Sequence, residues 1–477
     1  MTLDDFRRHG HELIDWIADY RAGIAARPVL APTVPGEVRR QLPAAPPEQA
    51  EDWAAVQRDL DAVILPALTH WQHPRFFAYF PSNASLASVL GDMAAAGLGT
   101  LGLAWQSSPA LTELEEVVVD WLRQMLGLSP AWSGVLADTA STSTLVALLC
   151  ARERATEFSL DRGGLREAPR PLTVYTSEQS HSSVEKAALL AGYGRHHLRL
   201  VACGADLGMD PAALAQALAA DAAAGRQPCA IVATAGATAA TAFDPIAAIA
   251  ALARQYHCWL HVDAAMAGSA MILPECRELW RGIEDADSLV LNPHKWLGAV
   301  FDCSAYFVRD PQHLIRVMST HPSYLQSAVD GEVKNYRDWG LPLGRRFRAL
   351  KLWCLLREQG VAGLQARLRR DLANAQWLAE QVRAAADWRV VAPVRLQTVC
   401  VRHQPPGVAG EALDRHTRAW CDRVNRSGQA FLTPATLQGR WMVRVSIGAE
   451  ATERADVAAA WAAMQQAAAA EAEGASA

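Results

Sequence analysis

Lysine is nearly missing from this chain: of 45 basic residues only Lys186, Lys295, Lys334 and Lys351 are lysines, and the rest are arginine. Its nine cysteines stand singly, with no CxxC pair and no metal-ligand spacing. They read as reduced, mostly buried thiols, and no metal centre is expected. No uninterrupted apolar run is long enough to span a bilayer, and the opening stretch, with Asp4, Asp5, Arg7 and Arg8, carries no apolar signal core. A cytoplasmic protein without a membrane partner is expected. A net charge of −5 supplies no polycationic face, so no nucleic-acid partner is expected either.

What the chain does have is length and apolar residues: 477 residues, 51% hydrophobic, enough for two lobes and an appendage. Residues 1 to about 25 carry Phe6, Leu13, Ile17 and Ile24 at helical spacing. A proline-rich connector then leads to a second helical pattern over 53–68. Such helices bury their apolar faces against a partner subunit or against their own chain. Residues 112–126 read as a helix opened by a capping box of Thr112 and Glu115, with Leu114, Val117, Val118, Trp121, Leu122 and Met125 as its buried stripe. From Pro171 strand and helix alternate. The runs 172–176, 197–201, 229–234, 258–262, 288–291 and 303–308 read as strands, which predicts an α/β fold with a doubly wound, mainly parallel sheet. After Phe347, helices and two further strands read as a small α/β lobe.

In parallel sheets function collects at the carboxyl ends of strands, and polar residues stand where these apolar runs stop. One run ends at Asp263; another ends before Asn292, His294 and Lys295. A chain this rich in arginine would use arginine for charge alone, whereas only a lysine that loses its proton can form an imine. An interior ion pair between Asp263 and Lys295 fits the same two residues equally well. Residues 138–144 (Asp-Thr-Ala-Ser-Thr-Ser-Thr) place a run of hydroxyls at a helix start, where free amides and the helix dipole suit a phosphate. The run lacks the Gly-Lys-Ser/Thr of a nucleotide-binding loop. His181 opens a helix directly after a strand. The stretch 318–339 is polar and irregular, a surface excursion or an active-site lid.

The motifs His261-Val262-Asp263-Ala264-Ala265 and Asn292-Pro293-His294-Lys295-Trp296 carry a family resemblance that spans almost the whole chain, from Phe6-Arg7-Arg8-His9-Gly10 through Gly344-Arg345-Arg346-Phe347-Arg348. It resembles the group II pyridoxal-phosphate decarboxylases, closest to the bacterial type of aromatic-L-amino-acid (DOPA) decarboxylase. The resemblance implies fold type I, the aspartate aminotransferase-like fold, with a seven-stranded type of sheet. It also implies an amino-terminal helical dimerisation arm over 1–80, a large cofactor domain over 81–350 and a small domain over 351–477. It implies pyridoxal 5'-phosphate as cofactor, held by Lys295 as a Schiff base, with Asp263 against the pyridine nitrogen and His181 stacked on the ring. Thr139, Ala140 and Ser141 are implied at the phosphate, and Thr238, Ala265, Asn292 and His294 elsewhere around the cofactor. Tyr324 is implied as the proton donor to the substrate's Cα. Tyr79, Phe80, Ser82, Leu101, Leu103, His181, Phe301 and Gly344 are implied at the substrate, with Leu101 and Leu103 supplied by the second subunit of a homodimer.

That pocket holds no evident cation for a side-chain carboxylate, so glutamate would leave a charge unpaired. Aromatic amino acids are expected instead, with DOPA first; Gly344 leaves room for an indole. An aldehyde synthase on the same scaffold and an aminotransferase using a fixed arginine such as Arg444 are the rival enzymes. A non-catalytic scaffold is the rival without chemistry.

Overall fold

A computed structural model describes residues 1–320 and 332–476, without the side chains of 474–476. The chain forms two compact units. One comprises Ser82–Leu372 and Ala392–Thr398; the other comprises Met1–Pro81, Ala373–Val391 and Val399–Ala477.

The larger unit is built on seven strands: β1 (Ser133–Ala137), β2 (Leu172–Ser177), β3 (Leu198–Val201), β4 (Gln227–Thr234), β5 (Trp259–Asp263), β6 (Ser288–Leu291) and β7 (Ser304–Val308), in the order β1-β7-β6-β5-β4-β2-β3. Every pairing from β3 to β6 is parallel. β7 runs antiparallel between β6 and β1, so β1 shares the direction of β6. The apolar runs are continuous rather than alternating because the strands are covered on both faces, and every residue of β2, β5, β6 and β7 is buried. Helix Ala140–Ala155 contributes Val146, Leu148 and Cys150 to a core shared with Val174, Val232, Trp259 and, from helix Pro311–Met318, Leu314. Fully burying one such Leu or Val side chain contributes roughly 1.5–3 kcal/mol.

The expected helix over 112–126 exists but begins earlier, at Pro109, and ends at the left-handed Gly127. Thr112 therefore caps nothing. Its hydroxyl donates to the Ser108 carbonyl at 3.2 Å, inside the first turns. The buried stripe is also rotated: Leu111, Thr112, Glu115, Val118, Val119, Leu122 and Leu126 face inward, whereas Val117 and Trp121 are exposed. On that inward face Glu115 makes a buried ion pair with Arg345 at 2.6 Å.

In the other unit, helix Leu3–Gly23 has a true capping box, Thr2 with Asp5, and buries none of its residues. Leu3 and Phe6 are 82% and 63% exposed. A four-stranded sheet of β8 (Trp388–Val390), β9 (Thr398–His403), β10 (Thr433–Leu437) and β11 (Arg440–Ser446), ordered β10-β11-β9-β8, packs with helices Gly410–Arg426 and Arg454–Ser476. Trp388 meets Trp420 and Trp461 edge-on at 5.4 and 4.8 Å. Helix Arg348–Ala384 kinks at Gly360 (φ 63°), between the two helical patterns the sequence shows there.

Candidate active site

Because β1, β2, β4, β5 and β6 share one direction, their carboxyl ends lie along one edge of the sheet, and the antiparallel β7 begins there. The candidate residues of the larger unit leave from these ends. Thr139 precedes helix Ala140–Ala155 after β1, His181 precedes helix Ser182–Leu190 after β2, and Thr238 lies in the turn after β4. Asp263 is the last residue of β5. Asn292, His294 and Lys295 follow β6, and Phe301 precedes β7.

Asp263 is buried, and its Oδ1 accepts the Ala265 amide at 3.0 Å. Ala265 in turn gives its carbonyl to the Asn292 amide at 2.8 Å, which ties the ends of β5 and β6 together. His181 Nδ1 accepts the Ser183 amide at 3.2 Å and lies 2.8 Å from its hydroxyl, which leaves the ring proton of the neutral form on Nε2. Burial holds the His181 pKa below its ordinary value, with the Asp263 carboxylate opposing and the Lys295 ammonium reinforcing the shift. His181, Asp263 and Lys295 thus share one electrostatic neighbourhood. His294 Nδ1 accepts the Cys303 amide at 3.0 Å, and burial, aided by Lys295, takes its pKa down to about 4. Its ring meets Phe301 at 4.9 Å.

Around the start of helix Ala140–Ala155, the first bond back into the helix is from the Ser143 amide to the Thr139 carbonyl. The amides of Ala140, Ser141 and Thr142 therefore precede the helical ladder, at its positive end. A cavity of about 450 Å³ lies beside this turn, with Asp138, Thr142, Gly344 and Arg348 in its wall. Leu101 and Leu103 flank Gly102, which forms a two-way backbone bridge with Arg345. A Cβ placed on Gly344 would stand 3.3 Å from Leu101 Cδ1 and 3.9 Å from Leu103 Cδ2. Leu101, Leu103 and Gly344 are thus one wall of one chain. Ser82 opens the larger unit, beside the Asn83 segment that touches the Lys295 turn.

Tyr79 and Phe80 belong to the smaller unit. The Tyr79 amide donates to Thr433 Oγ1 at 2.6 Å, its ring stacks on Trp71, and Phe80 lies 4.9 Å beneath the Arg444 guanidinium. Arg444 is 2% exposed and donates to the Tyr79 carbonyl at 3.1 Å. It is engaged in holding this aromatic corner. Tyr324 lies outside the described residues. Asn83, Arg367 and Asp371, which touch the Lys295 turn, carry no sequence signal: each is 70 or more residues away from its partner there.

This set fits a pyridine aldehyde bearing a phosphate. A buried carboxylate, a flat neutral ring, an amine and a helix start stand along one edge, and Asn292 Oδ1 is buried without a hydrogen-bond partner among the described residues. Among those residues no group of histidine, cysteine and carboxylate side chains is arranged to hold a metal, and no helix is long and apolar enough to cross a membrane.

Residues 35–404 match the family model described as the pyridoxal-dependent decarboxylase conserved domain. Tryptophan decarboxylase 2 of Oryza sativa subsp. japonica is 38% identical over 471 residues, 97% of this chain and 94% of the relative. The aromatic-L-amino-acid decarboxylase of Bos taurus is 39% identical over 485 residues, covering 98% and 97%. The crystal structure of Oryza sativa TDC with PLP and tryptamine superposes with a TM-score of 0.95 at 37% identity, covering 98% of both chains. The seven-stranded sheet and the second, smaller sheet are thus those of fold type I, and the chain belongs to the pyridoxal-dependent decarboxylases, with pyridoxal phosphate as its cofactor.

Proposed function

We propose that this enzyme removes the carboxyl group of aromatic L-amino acids as carbon dioxide, leaving the amine. L-DOPA is placed first, with 5-hydroxytryptophan, tryptophan and tyrosine in the same class. The placement of His181, Asp263 and Lys295 along one edge of the sheet, close enough to act on one another electrostatically, carries the reading. The relatives' names, tryptophan decarboxylase and aromatic-L-amino-acid decarboxylase, supply the substrate class.

Bound pyridoxal phosphate supplies a protonated ring that takes up the electron pair left when the carboxylate departs. Asp263 keeps the ring nitrogen protonated, because an opposite charge favours the charged form. Lys295 would hold the cofactor through its amine, the side chain on this chain suited to bind an aldehyde covalently. The amides of Ala140 and Ser141 and the Thr139 hydroxyl hold the phosphate. Neutral His181 covers the ring and offers Nε2–H to the carboxylate side. Thr238, Ala265, Asn292 and His294 complete the cofactor's surroundings, and Tyr324, or a proton relay with His181, would return a proton to Cα.

Tyr79, Phe80, Ser82 and Phe301 are assigned to the substrate. We assign the Leu101–Leu103–Gly344 wall to the site of a second copy, in a cytoplasmic homodimer. Leu90, Leu98, Val117 and Trp121 are apolar and exposed on the same unit, which supports that assignment. The test is carbon dioxide release from DOPA, 5-hydroxytryptophan, tryptophan, tyrosine, phenylalanine, histidine and glutamate, with and without added cofactor. Borohydride reduction then locates the modified lysine. Release from the aromatic substrates with label on Lys295 is expected. Release from glutamate alone, or label on another lysine, overturns the reading. Stoichiometric ammonia and peroxide would instead identify an aldehyde synthase.

A further inference from the structure

The turn that carries Lys295 closes on itself through the Lys295 amide to the Asn292 carbonyl at 2.9 Å and the Ala299 amide to the Pro293 carbonyl at 3.0 Å, and is further tied down from outside. From His294 to Gly298, five consecutive carbonyls are each taken by a donor beyond the turn. The Asn83 amide donates to the His294 carbonyl at 3.2 Å, and Asn83 Nδ2 to the Lys295 carbonyl at 3.0 Å. Arg367 uses Nη1 on the Trp296 carbonyl at 3.0 Å and Nη2 on the Leu297 carbonyl at 2.6 Å. The Ser85 amide takes the Gly298 carbonyl at 3.0 Å. Trp296 is itself fixed by its indole: Nε1 donates to Asp371 Oδ2 at 2.9 Å, while Arg370 binds the other carboxylate oxygen. Trp296 and Asp371 are fully buried and Arg367 is 9% exposed. Lys295 departs from helical dihedrals (φ −90°, ψ −115°), and the turn closes on Gly298 at φ 107°. A Cβ on Gly298 would stand 3.0 Å from Arg367 Nη2, so a side chain there would press on the guanidinium as well as strain the backbone.

We propose that Asn83, Arg367 and Asp371 are positioning residues for Lys295, fixing the backbone from which its side chain reaches the cofactor. The proposal rests on the assignment of Lys295 as the cofactor lysine. During turnover that side chain must leave the cofactor and return to it, so its reach depends on a backbone that stays still while the amine moves. A guanidinium forked onto two successive carbonyls, and an indole fixed by a buried carboxylate, supply that stillness. Neither group is assigned a contact with the substrate.

The test uses the full-length holoenzyme with Asp371→Asn, Asp371→Leu, Trp296→Phe and Arg367→Lys. Circular dichroism checks the fold, equilibrium dialysis gives cofactor affinity, and borohydride trapping against pH reports how readily Lys295 holds the cofactor. Asp371→Asn keeps an oxygen for the indole and is expected to stay within about threefold of the parent. Trp296→Phe and Arg367→Lys are expected to keep the fold but lower kcat at least tenfold with KM little changed. The trapping midpoint is expected to move by half a pH unit or more. If both fold and trap cofactor with the parent's pH profile and kcat, the positioning role is wrong while Lys295 stands. Should Asp371→Leu fail to fold, Trp296→Phe still decides the outcome. Label away from Lys295 in the parent enzyme overturns both the assignment and the proposal.

Discussion

Glu115 and Arg345 meet at 2.6 Å in the interior, with Glu115 fully buried and Arg345 5% exposed. Glu115 Oε1 also accepts the Leu136 amide at 2.8 Å, and Arg345 donates to the Leu136 carbonyl at 2.6 Å. One ion pair thus joins helix Pro109–Leu126, β1 and the segment bearing Gly344. Removing one partner of such a pair leaves the other charge uncompensated, which costs about 3–5 kcal/mol. Glu115→Ala is therefore expected to lower the urea unfolding free energy by that amount. An effect below about 1 kcal/mol would show that Arg345 finds water or another acceptor.

The Glu115 pair also shows where sequence reasoning stops. The strand ends were legible because strands buried on both faces read as apolar runs that halt at polar residues, as 288–291 halts before Asn292. Asp263, His181 and Lys295 stand at or just past such strand ends. The rotation of helix Pro109–Leu126 was not legible, because periodicity marks an apolar face without saying whether that face meets the core. Here Glu115 turns inward to Leu136 and Arg345 and Thr112 is buried on the same face, whereas Val117 and Trp121 turn outward. The antiparallel β7 between β6 and β1 was equally hidden, since its residues read like those of a parallel strand. Asn83, Arg367 and Asp371 could be found only in three dimensions.

Gly344 gives a prediction about selectivity. The Cβ of Gly344→Ala would press on Leu101 Cδ1, the end of a flexible side chain, so the fold should survive. One methyl group in an apolar pocket changes discrimination by about 10–200-fold. The kcat/KM for tryptophan is expected to fall at least about tenfold further than that for DOPA. Equal losses for both substrates would remove this wall from the ring-binding site.

His181 has a structural role and a proposed chemical one, and a single substitution separates them. Its Nδ1 caps helix Ser182–Leu190 by accepting the Ser183 amide. Asparagine caps helices well, whereas alanine costs about 1 kcal/mol at such a position. His181→Asn should keep the urea midpoint near the parent's and still lower kcat by about 10² or more, the lower end of what a positioned proton-transfer group contributes. Activity unchanged in His181→Asn would reduce His181 to a cap.

His261 is held neutral by burial, and the pH dependence of its replacement should reveal this. Its Nδ1 lies 2.9 Å from Ser288 Oγ and its Nε2 3.4 Å from Thr144 Oγ1, in the fully buried middle of β5. Burial lowers its pKa from 6.5 to about 4, against the pull of Asp263. Above pH 6.5 both folded and unfolded chains carry it neutral. As pH falls from 6.5 towards 4 the unfolded chain takes up the proton and the folded chain does not, so stability is lost across that window. At pH 5 the loss from this one group is about 2 kcal/mol, at about 1.4 kcal/mol per pH unit. His261→Gln removes this proton linkage, so its destabilisation relative to the parent should be about 2 kcal/mol smaller at pH 5 than at pH 7.5. Comparing the two proteins at both pH values cancels every other titrating group. A destabilisation that does not change between them would mean that His261 ionises in the fold as it does in water.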